Sequence, residues 1–163
     1  VVITPCPGCA SMLGREVRDL LGLYIRAEHA SAYLRKLLRE GRLVLKRRVE
    51  LKATFHDPCI LGRSLGIYDA PRELLWHSGL ALIEMRKNRR ETSCCGYGQL
   101  SFMTYPDIAR ALAERRVEEA LGTGADVLVT ACPACLHALS GAAKEVARAL
   151  AVADITEVLA ELV

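Results

Sequence analysis

Short apolar runs alternate with longer segments of helical spacing along this chain of 163 residues. Four runs have the length and apolar content of buried or half-buried strands, at 1–4, 49–55, 80–85 and 127–130. The other segments place apolar residues at intervals of three and four, which predicts helices at 10–21, 29–39, 72–77, 107–121, 140–151 and 155–162. This alternation predicts an α/β fold with a mostly parallel sheet flanked by helices.

Polar residues, glycine and proline mark several ends of these predicted helices. Asp69 is expected to cap the helix at 72–77, with Pro71 in its first turn. Gly41 lies just beyond the helix at 29–39, and Gly122 and Gly124 lie just beyond the helix at 107–121, so these glycines are expected to end the two helices.

Five cysteines follow three of the predicted strands. Cys59 comes after the second strand, Cys94 and Cys95 come after the third, and Cys132 and Cys135 come after the fourth. The carboxyl ends of parallel strands meet at one edge of a sheet, and ligands of α/β proteins bind there. We therefore expect the cysteine loops to lie at the carboxyl ends of the strands and to converge, with helix N-termini stabilising thiolate charge.

The spacing of these cysteines indicates metal chemistry. Two residues between Cys132 and Cys135 allow both sulfur atoms to face one ion, as in zinc and iron sites. Cys94 and Cys95 reach the same centre only if the backbone turns sharply, and Gly96 supplies the dihedral freedom for that turn. A zinc ion needs four ligands, so five converging thiols favour a polynuclear iron cluster.

Two other interpretations of the cysteines stay open. The chain has seven cysteines, an odd number, and shows no signal peptide, so reduced thiols in an intracellular protein fit better than disulfide bonds. Cys94 and Cys95 are also small enough to pack as buried apolar residues. The nearby CxxC pair and Gly96 favour the metal interpretation over this one.

The sequence contains an internal repeat. Residues 1–13 (VVITPCPGCASML) and 127–139 (VLVTACPACLHAL) share Val, Thr, Cys, Pro, Cys and Leu at matching positions. Cys6 and Cys9 thus form a second CxxC pair, but no lone cysteine or CC pair precedes them in the sequence. They are candidates for an incomplete second metal site that takes ligands from elsewhere, and a vestigial or unoccupied pair is the alternative.

Composition and charge narrow the classes of function. A hydrophobic content of 52% is ample for the core of one domain, and no apolar run approaches the length of a membrane span. The net charge of +3 is too small to favour nucleic-acid binding, so the basic residues at 46–48 and 86–90 are expected to be solvated. We expect a cytoplasmic protein with no direct membrane span, whose attachment to a membrane complex would require a partner.

The balance of polar side chains favours a thermophilic source. Arginine outnumbers lysine by 17 to 5, and Asn88 and Gln99 are the only amide side chains. A GC-rich genome would also favour arginine, so this alternative stays open.

Three stretches of the chain resemble one protein family. They are HDPCILGRSLGIYDAPRELL at 56–75, SCCGYG at 93–98 and DVLVTACPACLHAL at 126–139. This ordered motif is similar to the cysteine-rich CCG domain, which occurs in the B subunit of heterodisulfide reductase and in iron-sulfur subunits of glycolate and D-lactate oxidising complexes. On this resemblance, 46–163 is a complete CCG repeat, and 1–45 is the C-terminal remnant of a first repeat plus connecting helices.

The resemblance also implies a cofactor. It implies an iron-sulfur cluster, which in heterodisulfide reductase is a noncubane 4Fe-4S cluster, and zinc is the alternative metal for this motif. Carried over by motif position, the ligands in this chain are Cys59, Cys94, Cys95, Cys132 and Cys135. Arg63, a cation shortly after Cys59, is a further candidate that would offset cluster charge or bind an anionic substrate.

The predicted function is that of an iron-sulfur redox subunit, either heterodisulfide reductase B-like or 2-hydroxy acid oxidase-like, active only with partner subunits. The chain has no ferredoxin-type CxxCxxCxxxCP segment, so electrons are expected to pass through a ferredoxin-like or flavoprotein partner. A structural zinc module without redox chemistry is the alternative, and a degraded gene fragment is a third possibility. The sequence identifies neither the catalytic residues nor the substrate.

Overall fold

The computed structural model describes residues 1–146 and 150–163, apart from the side chain of Gln99. Its strands form two parallel sheets. In the smaller sheet, β1 (Val2–Thr4) pairs with β2 (Ala27–His29). The larger sheet has the spatial order β4 (Ala81–Leu82), β3 (Lys52–Phe55), β5 (Val127–Thr130), β6 (Ala151–Asp154), and each neighbouring pair is parallel. The predicted α/β class with parallel strands is confirmed.

Helices surround the sheets and provide the connections between parallel strands. They are α1 (Pro7–Ser11), α2 (Val17–Leu21), α3 (Ala30–Arg39), α4 (Asp69–His77), α5 (Ser101–Thr104), α6 (Pro106–Leu121), α7 (Pro133–Val146) and α8 (Ile155–Ala160). Single π-helical turns lie at Met12–Glu16 and Ile60–Ser64, and short 3-10 helices lie at Arg89–Glu91 and Gly98–Leu100. Within the described residues, no helix combines the length and the apolar content needed to cross a membrane.

The central strand β5 is buried along its whole length and separates two apolar clusters. Leu128 packs into the cluster that contains Val117 of α6 and Leu139 of α7. Val129 belongs to the opposite cluster, which contains Leu74 of α4 and residues of α8. Because successive side chains of a strand point to opposite faces, both faces of the sheet are covered by helices, the usual environment of parallel strands.

The observed elements differ from the predicted ones at several places. The predicted strands 49–55 and 80–85 are shorter in the structure, where they correspond to β3 and β4. Strands β2 and β6 were not predicted, since AEH and AVAD have little β propensity, and their pairing with a neighbouring strand decides the conformation. The helix predicted at 140–151 begins earlier, at Pro133, and Ala151 belongs to β6. Residues 147–149 of that prediction lie outside the described residues.

The predicted cap at Asp69 is wrong. Helix α4 begins at Asp69 itself, and Tyr68 occupies the N-cap position without a side-chain cap bond. The Asp69 carboxylate instead accepts a hydrogen bond from Arg89 Nη1 at 2.8 Å, and this contact lowers the pKa of Asp69. Asp69 therefore connects α4 to the loop that leads to Cys94.

Candidate metal centre

A cavity of about 160 Å³ at the carboxyl edge of the larger sheet is lined with sulfur. Cys59 reaches it from the loop after β3, Cys95 from the segment after β4, and Cys132 and Cys135 from the loop after β5. Cys6 lines the same cavity from the loop after β1. Cysteine loops from both sheets therefore meet at one place.

Four thiols of the complete motif, those of Cys94, Cys95, Cys132 and Cys135, form a chain of contacts. Cys95 and Cys135 are buried, and their sulfur atoms are 3.2 Å apart. Contacts with the Cys135 and Cys94 thiols lower the pKa of Cys95. Contacts with Cys132 and Cys95 raise the pKa of Cys135, and contact with Cys95 raises that of Cys94. The pKa of Cys132 is lowered to about 7 by contact with the Cys135 thiol and by the backbone N–H groups at the start of α7. Metal binding would displace the protons that these thiols hold.

Gly96 forms the turn directly after the two neighbouring cysteines. Its φ of 85° lies in the left-handed region, and a Cβ there would overlap the carbonyl oxygen of Ala109. The Gly96 N–H donates to the Cys94 sulfur at 3.3 Å. The expectation that this turn needs glycine is confirmed, because neither the dihedral angle nor the space suits another residue.

A buried salt bridge supports two of the cysteine loops. Both guanidinium Nη atoms of Arg72 donate to Asp57, at 2.7 and 2.9 Å, and Arg72 Nε donates to Glu84 at 2.6 Å. The same Asp57 carboxylate accepts from the backbone N–H of Arg89 at 2.7 Å. Asp57 lies two positions before Cys59, so this network connects the Cys59 loop to the segment that precedes Cys94.

Arg63, the predicted cofactor-binding cation, lies against the backbone of the Cys94 loop. Its guanidinium donates to the carbonyl oxygens of Arg90, at 3.0 Å, and Thr92. These bonds support the segment that leads into Cys94. A contact between Arg63 and a cofactor stays a prediction.

His56 lies at the end of β3, next to the cluster of thiols. One of its ring nitrogens is within 4.8 Å of the Cys95 and Cys135 sulfur atoms, and all three residues are buried. Arg116 of α6 donates from Nε to His56 Nδ1 at 3.0 Å. Burial lowers the pKa of His56, and the positive charge of Arg116 acts in the same direction.

The first CxxC loop is tied to the second one by a histidine. The Cys6 sulfur accepts a hydrogen bond from the Cys9 N–H at 3.3 Å, and Cys9 itself is exposed. Nε2 of the buried His29 lies 3.0 Å from the Pro5 carbonyl oxygen and 3.1 Å from that of Ala131. These two carbonyls immediately precede the two CxxC motifs, so one imidazole links both loops.

Sequence reasoning did not find three residues of this region. Arg116 lies in a stripe of small apolar residues that α6 buries. A charged side chain in such a stripe could have indicated a buried polar network. Arg72 lies among buried apolar positions of α4 in the same way. His29 was assigned only to the start of a helix, and its contact with Ala131 spans 102 positions, so no local pattern could predict it.

The donor set fits a thiolate-bound metal centre. All seven cysteines lie within the described residues, and each has a free thiol. Thiolate sulfur is a soft ligand that suits iron-sulfur clusters and zinc. The convergent loops and the sulfur-lined cavity suit either kind of centre.

An α/β domain whose parallel strands bring cysteine loops to one sulfur-lined cavity defines a class of thiolate-rich, metal-binding domains. A comparison with known families narrows this class, because the model of the cysteine-rich domain, CCG, matches residues 53–140. The chain belongs to this family.

Three relatives of this chain are named as oxidoreductases or as a subunit of one. It is 35% identical over 163 residues to the D subunit of the dihydromethanophenazine:CoB–CoM heterodisulfide reductase of Methanosarcina barkeri, covering 98% of this chain and 40% of the relative. It is 31% identical over 165 residues to the probable iron-sulfur-binding oxidoreductase FadF of Bacillus subtilis, covering 99% and 23%. It is 30% identical over 167 residues to the EtfAB:quinone oxidoreductase of Syntrophomonas wolfei, covering 97% and 23%.

These comparisons confirm the predicted family and its relation to iron-sulfur oxidoreductases. The chain spans 40% of the length of the heterodisulfide reductase relative and a smaller share of the other two. The reductase relative is a D subunit, whereas the sequence analysis predicted likeness to the B subunit. The likeness to heterodisulfide reductase is therefore supported, and the B-like assignment stays a prediction.

Proposed function

We propose that this chain is an iron-sulfur redox domain of an oxidoreductase complex and that it binds its cluster through five cysteines. These are Cys59, Cys94, Cys95, Cys132 and Cys135. The observation that carries the proposal is the convergence of three cysteine loops on one cavity, with buried sulfur atoms in contact. The names of the relatives favour a redox function over a purely structural metal-binding function.

The proposed cluster is of the noncubane 4Fe-4S kind. Support comes from the resemblance to the CCG domain and from the adjacent pair Cys94 and Cys95, which offers two sulfurs from one turn. An iron-sulfur cluster supplies one-electron transfer at a potential that its protein surroundings tune. The chain itself supplies the thiolates, and the burial of Cys95 and Cys135 keeps water from that side of the site.

The proposed partners are ferredoxin-like or flavoprotein subunits. The relatives include a heterodisulfide reductase subunit and an EtfAB:quinone oxidoreductase, whose names describe electron transfer between proteins or to a small acceptor. Among the two predicted reactions we favour the heterodisulfide reductase type. A dithionite-reduced protein that CoB–CoM heterodisulfide reoxidises faster than a quinone would support this choice, and the reverse order would oppose it.

We also propose that residues 1–45 are the end of a first repeat and 46–163 a complete one. Support comes from the local structure, since β1, Cys6 and a helix that begins at Pro7 match β5, Cys132 and a helix that begins at Pro133. On this proposal Cys6 and Cys9 belong to an incomplete second site.

The test is metal analysis of protein purified without oxygen. We expect about four iron and four acid-labile sulfide per chain, with an electron paramagnetic resonance signal after reduction. Cys95→Ser should lose most of the iron, whereas the neighbouring control Ser93→Ala, which removes no sulfur, should keep it. Protein that binds neither iron nor sulfide under these conditions would refute the proposal.

A structural zinc site is the second candidate. His56, Cys95 and Cys135 present ligand atoms within 4.8 Å of one another, which would give a single ion three of its four ligands. In that case the same analysis would give about one zinc and no sulfide per chain. The zinc-free protein would then unfold at markedly lower urea concentration, because structural zinc contributes folding free energy.

A further inference from the structure

Arg116 is the largest side chain among the described residues that the fold buries completely. A buried charge is costly unless hydrogen bonds satisfy it. Arg116 Nη1 donates to the Lys87 carbonyl at 2.9 Å and to the Glu119 carboxylate at 2.6 Å, and Nη2 donates to the Thr92 hydroxyl at 3.2 Å. Lys87 and Thr92 belong to the segment that leads to Cys94, so α6 holds this segment through one guanidinium.

The Nε donor of Arg116 determines which nitrogen of His56 carries the proton. Arg116 Nε lies 3.0 Å from His56 Nδ1. A guanidinium in a protein is always protonated and only donates, so His56 Nδ1 must accept. A neutral imidazole that accepts at Nδ1 carries its hydrogen on Nε2.

We propose that His56 Nε2–H donates a hydrogen bond to the sulfur of Cys95 and that Arg116 is the residue that positions it. The inference rests on the proposed function, in which Cys95 is a cluster ligand. One ring nitrogen of His56 lies within 4.8 Å of the Cys95 and Cys135 sulfur atoms. His56 is 1% exposed and Cys95 is 5% exposed, so water does not compete for this bond.

A donor to a ligand sulfur affects the redox chemistry of the site. The hydrogen bond disperses negative charge on the sulfur, and this stabilises the reduced, more negative cluster more than the oxidised one. His56 therefore raises the reduction potential, and Arg116 ensures that the imidazole presents a hydrogen rather than a lone pair. A histidine that bound the metal would instead have to present the lone pair of Nε2.

The first experiment determines the position of the proton in metal-free protein. Nitrogen NMR of protein labelled with ¹⁵N-histidine, at neutral pH, should show His56 protonated at Nε2 and unprotonated at Nδ1. The His56 signals are assigned by their disappearance in His56→Gln. A proton on Nδ1 would overturn the inference, and this measurement does not depend on a bound cluster.

The second experiment measures the reduction potential and the iron content of variants prepared without oxygen. His56→Phe should keep its iron but have a lower potential, because the donor is lost. His56→Gln places an amide N–H near the position of Nε2 and should recover part of the shift. The control His77→Phe, on α4 with Nδ1 against the Glu73 carbonyl, should leave the potential unchanged.

The outcomes separate this inference from the proposed function. Full iron with an unchanged potential in His56→Phe would overturn the inference and leave the proposed function intact. Direct nitrogen ligation of the wild-type centre in pulsed electron paramagnetic resonance would also overturn it. Wild-type protein without iron would refute the proposed function, and the NMR measurement would still decide how His56 is protonated.

Discussion

The two CxxC loops share sequence and local structure, but their surroundings differ. Both follow a parallel strand, and in both a helix begins at the proline after the first cysteine. The strand before Cys132 is buried and lies between β3 and β6, whereas β1 has exposed residues and pairs with the three-residue β2. Cys135 is therefore 4% exposed and touches another thiol, while Cys9 is exposed. The motif supplies the pair of thiols, and the neighbouring loops decide whether a site forms around it.

The largest expected effect comes from removing the second CxxC pair. Replacing Cys132 and Cys135 together by serine should abolish iron binding, because two of the five proposed ligands are lost. Replacing Cys6 and Cys9 together is the matched control, and it should leave the iron of the complete site in place. Iron and sulfide analysis after anaerobic reconstitution distinguishes the two. Equal loss in both variants would mean that the two loops hold one shared centre.

A second prediction concerns the salt bridge that supports the complete site. Arg72→Met leaves the buried Asp57 carboxylate without its guanidinium partner, so the free energy of unfolding should fall by about 3–5 kcal/mol. Arg39→Met is the control, since it removes an exposed pair with Glu73 on the same helix α4 and should have little effect. Urea unfolding of both variants provides the measurement. Similar losses in the two would contradict the role of burial.

A third prediction compares the loss of stability caused by a glycine substitution in each of the two sites. Gly96→Ala forces a side chain against the Ala109 carbonyl at a positive φ, and the free energy of unfolding should fall by about 3 kcal/mol. Gly8, inside the first CxxC, corresponds to Ala134 in the repeat, and a Cβ there would meet only ordinary contacts, with Cys6 Sγ at 3.7 Å. Gly8→Ala should therefore be neutral or stabilising by up to about 1 kcal/mol. A loss in Gly8→Ala equal to that in Gly96→Ala would refute this distinction.

The smallest expected effect is the pH dependence of stability that comes from His29, the residue that links the two CxxC loops. Burial lowers the pKa of His29, so the unfolded chain takes up a proton before the folded protein does. Stability should be unaffected above the usual histidine pKa of about 6.5 and should fall below it, by at most about 1.4 kcal/mol per pH unit for this residue. His29→Gln removes the titrating group and should reduce the slope in urea unfolding of metal-free protein. An unchanged slope would show that His29 does not contribute.

The sequence predicts the parts of the fold that depend on local pattern. Helices α3 and α6, strand β5 and the permissive turn at Gly96 follow from periodicity, capping and dihedral freedom within a few residues. Strand β6, with the sequence AVAD, was missed, because its conformation depends on pairing with β5. Local pattern therefore predicts an element whose own residues favour its conformation. It does not predict a strand whose conformation depends on pairing with a strand distant in sequence.

The polar support of the site was not predictable in the same way. The bond between Arg116 and His56 spans 60 positions, and no regular spacing indicates it. The placement of the cysteine loops after parallel strands was predictable because topology alone brings strand ends together. The support of the Cys59 and Cys94 loops depends on Arg72 and Arg116, whose hydrogen-bond partners come together only when the helices pack.

The bond geometry of His29 has a further consequence for local unfolding. Nδ1 of His29 accepts the backbone N–H of Ser31 at 3.2 Å, so its one ring hydrogen lies on Nε2 and is shared between the carbonyls of Pro5 and Ala131. Each loop that opens gives up its bond to this one buried imidazole. In amide hydrogen exchange, the weakly paired β1 edge should therefore open together with the β5 loop as one cooperative unit. The smaller sheet thereby gains kinetic protection that its two short strands could not provide alone.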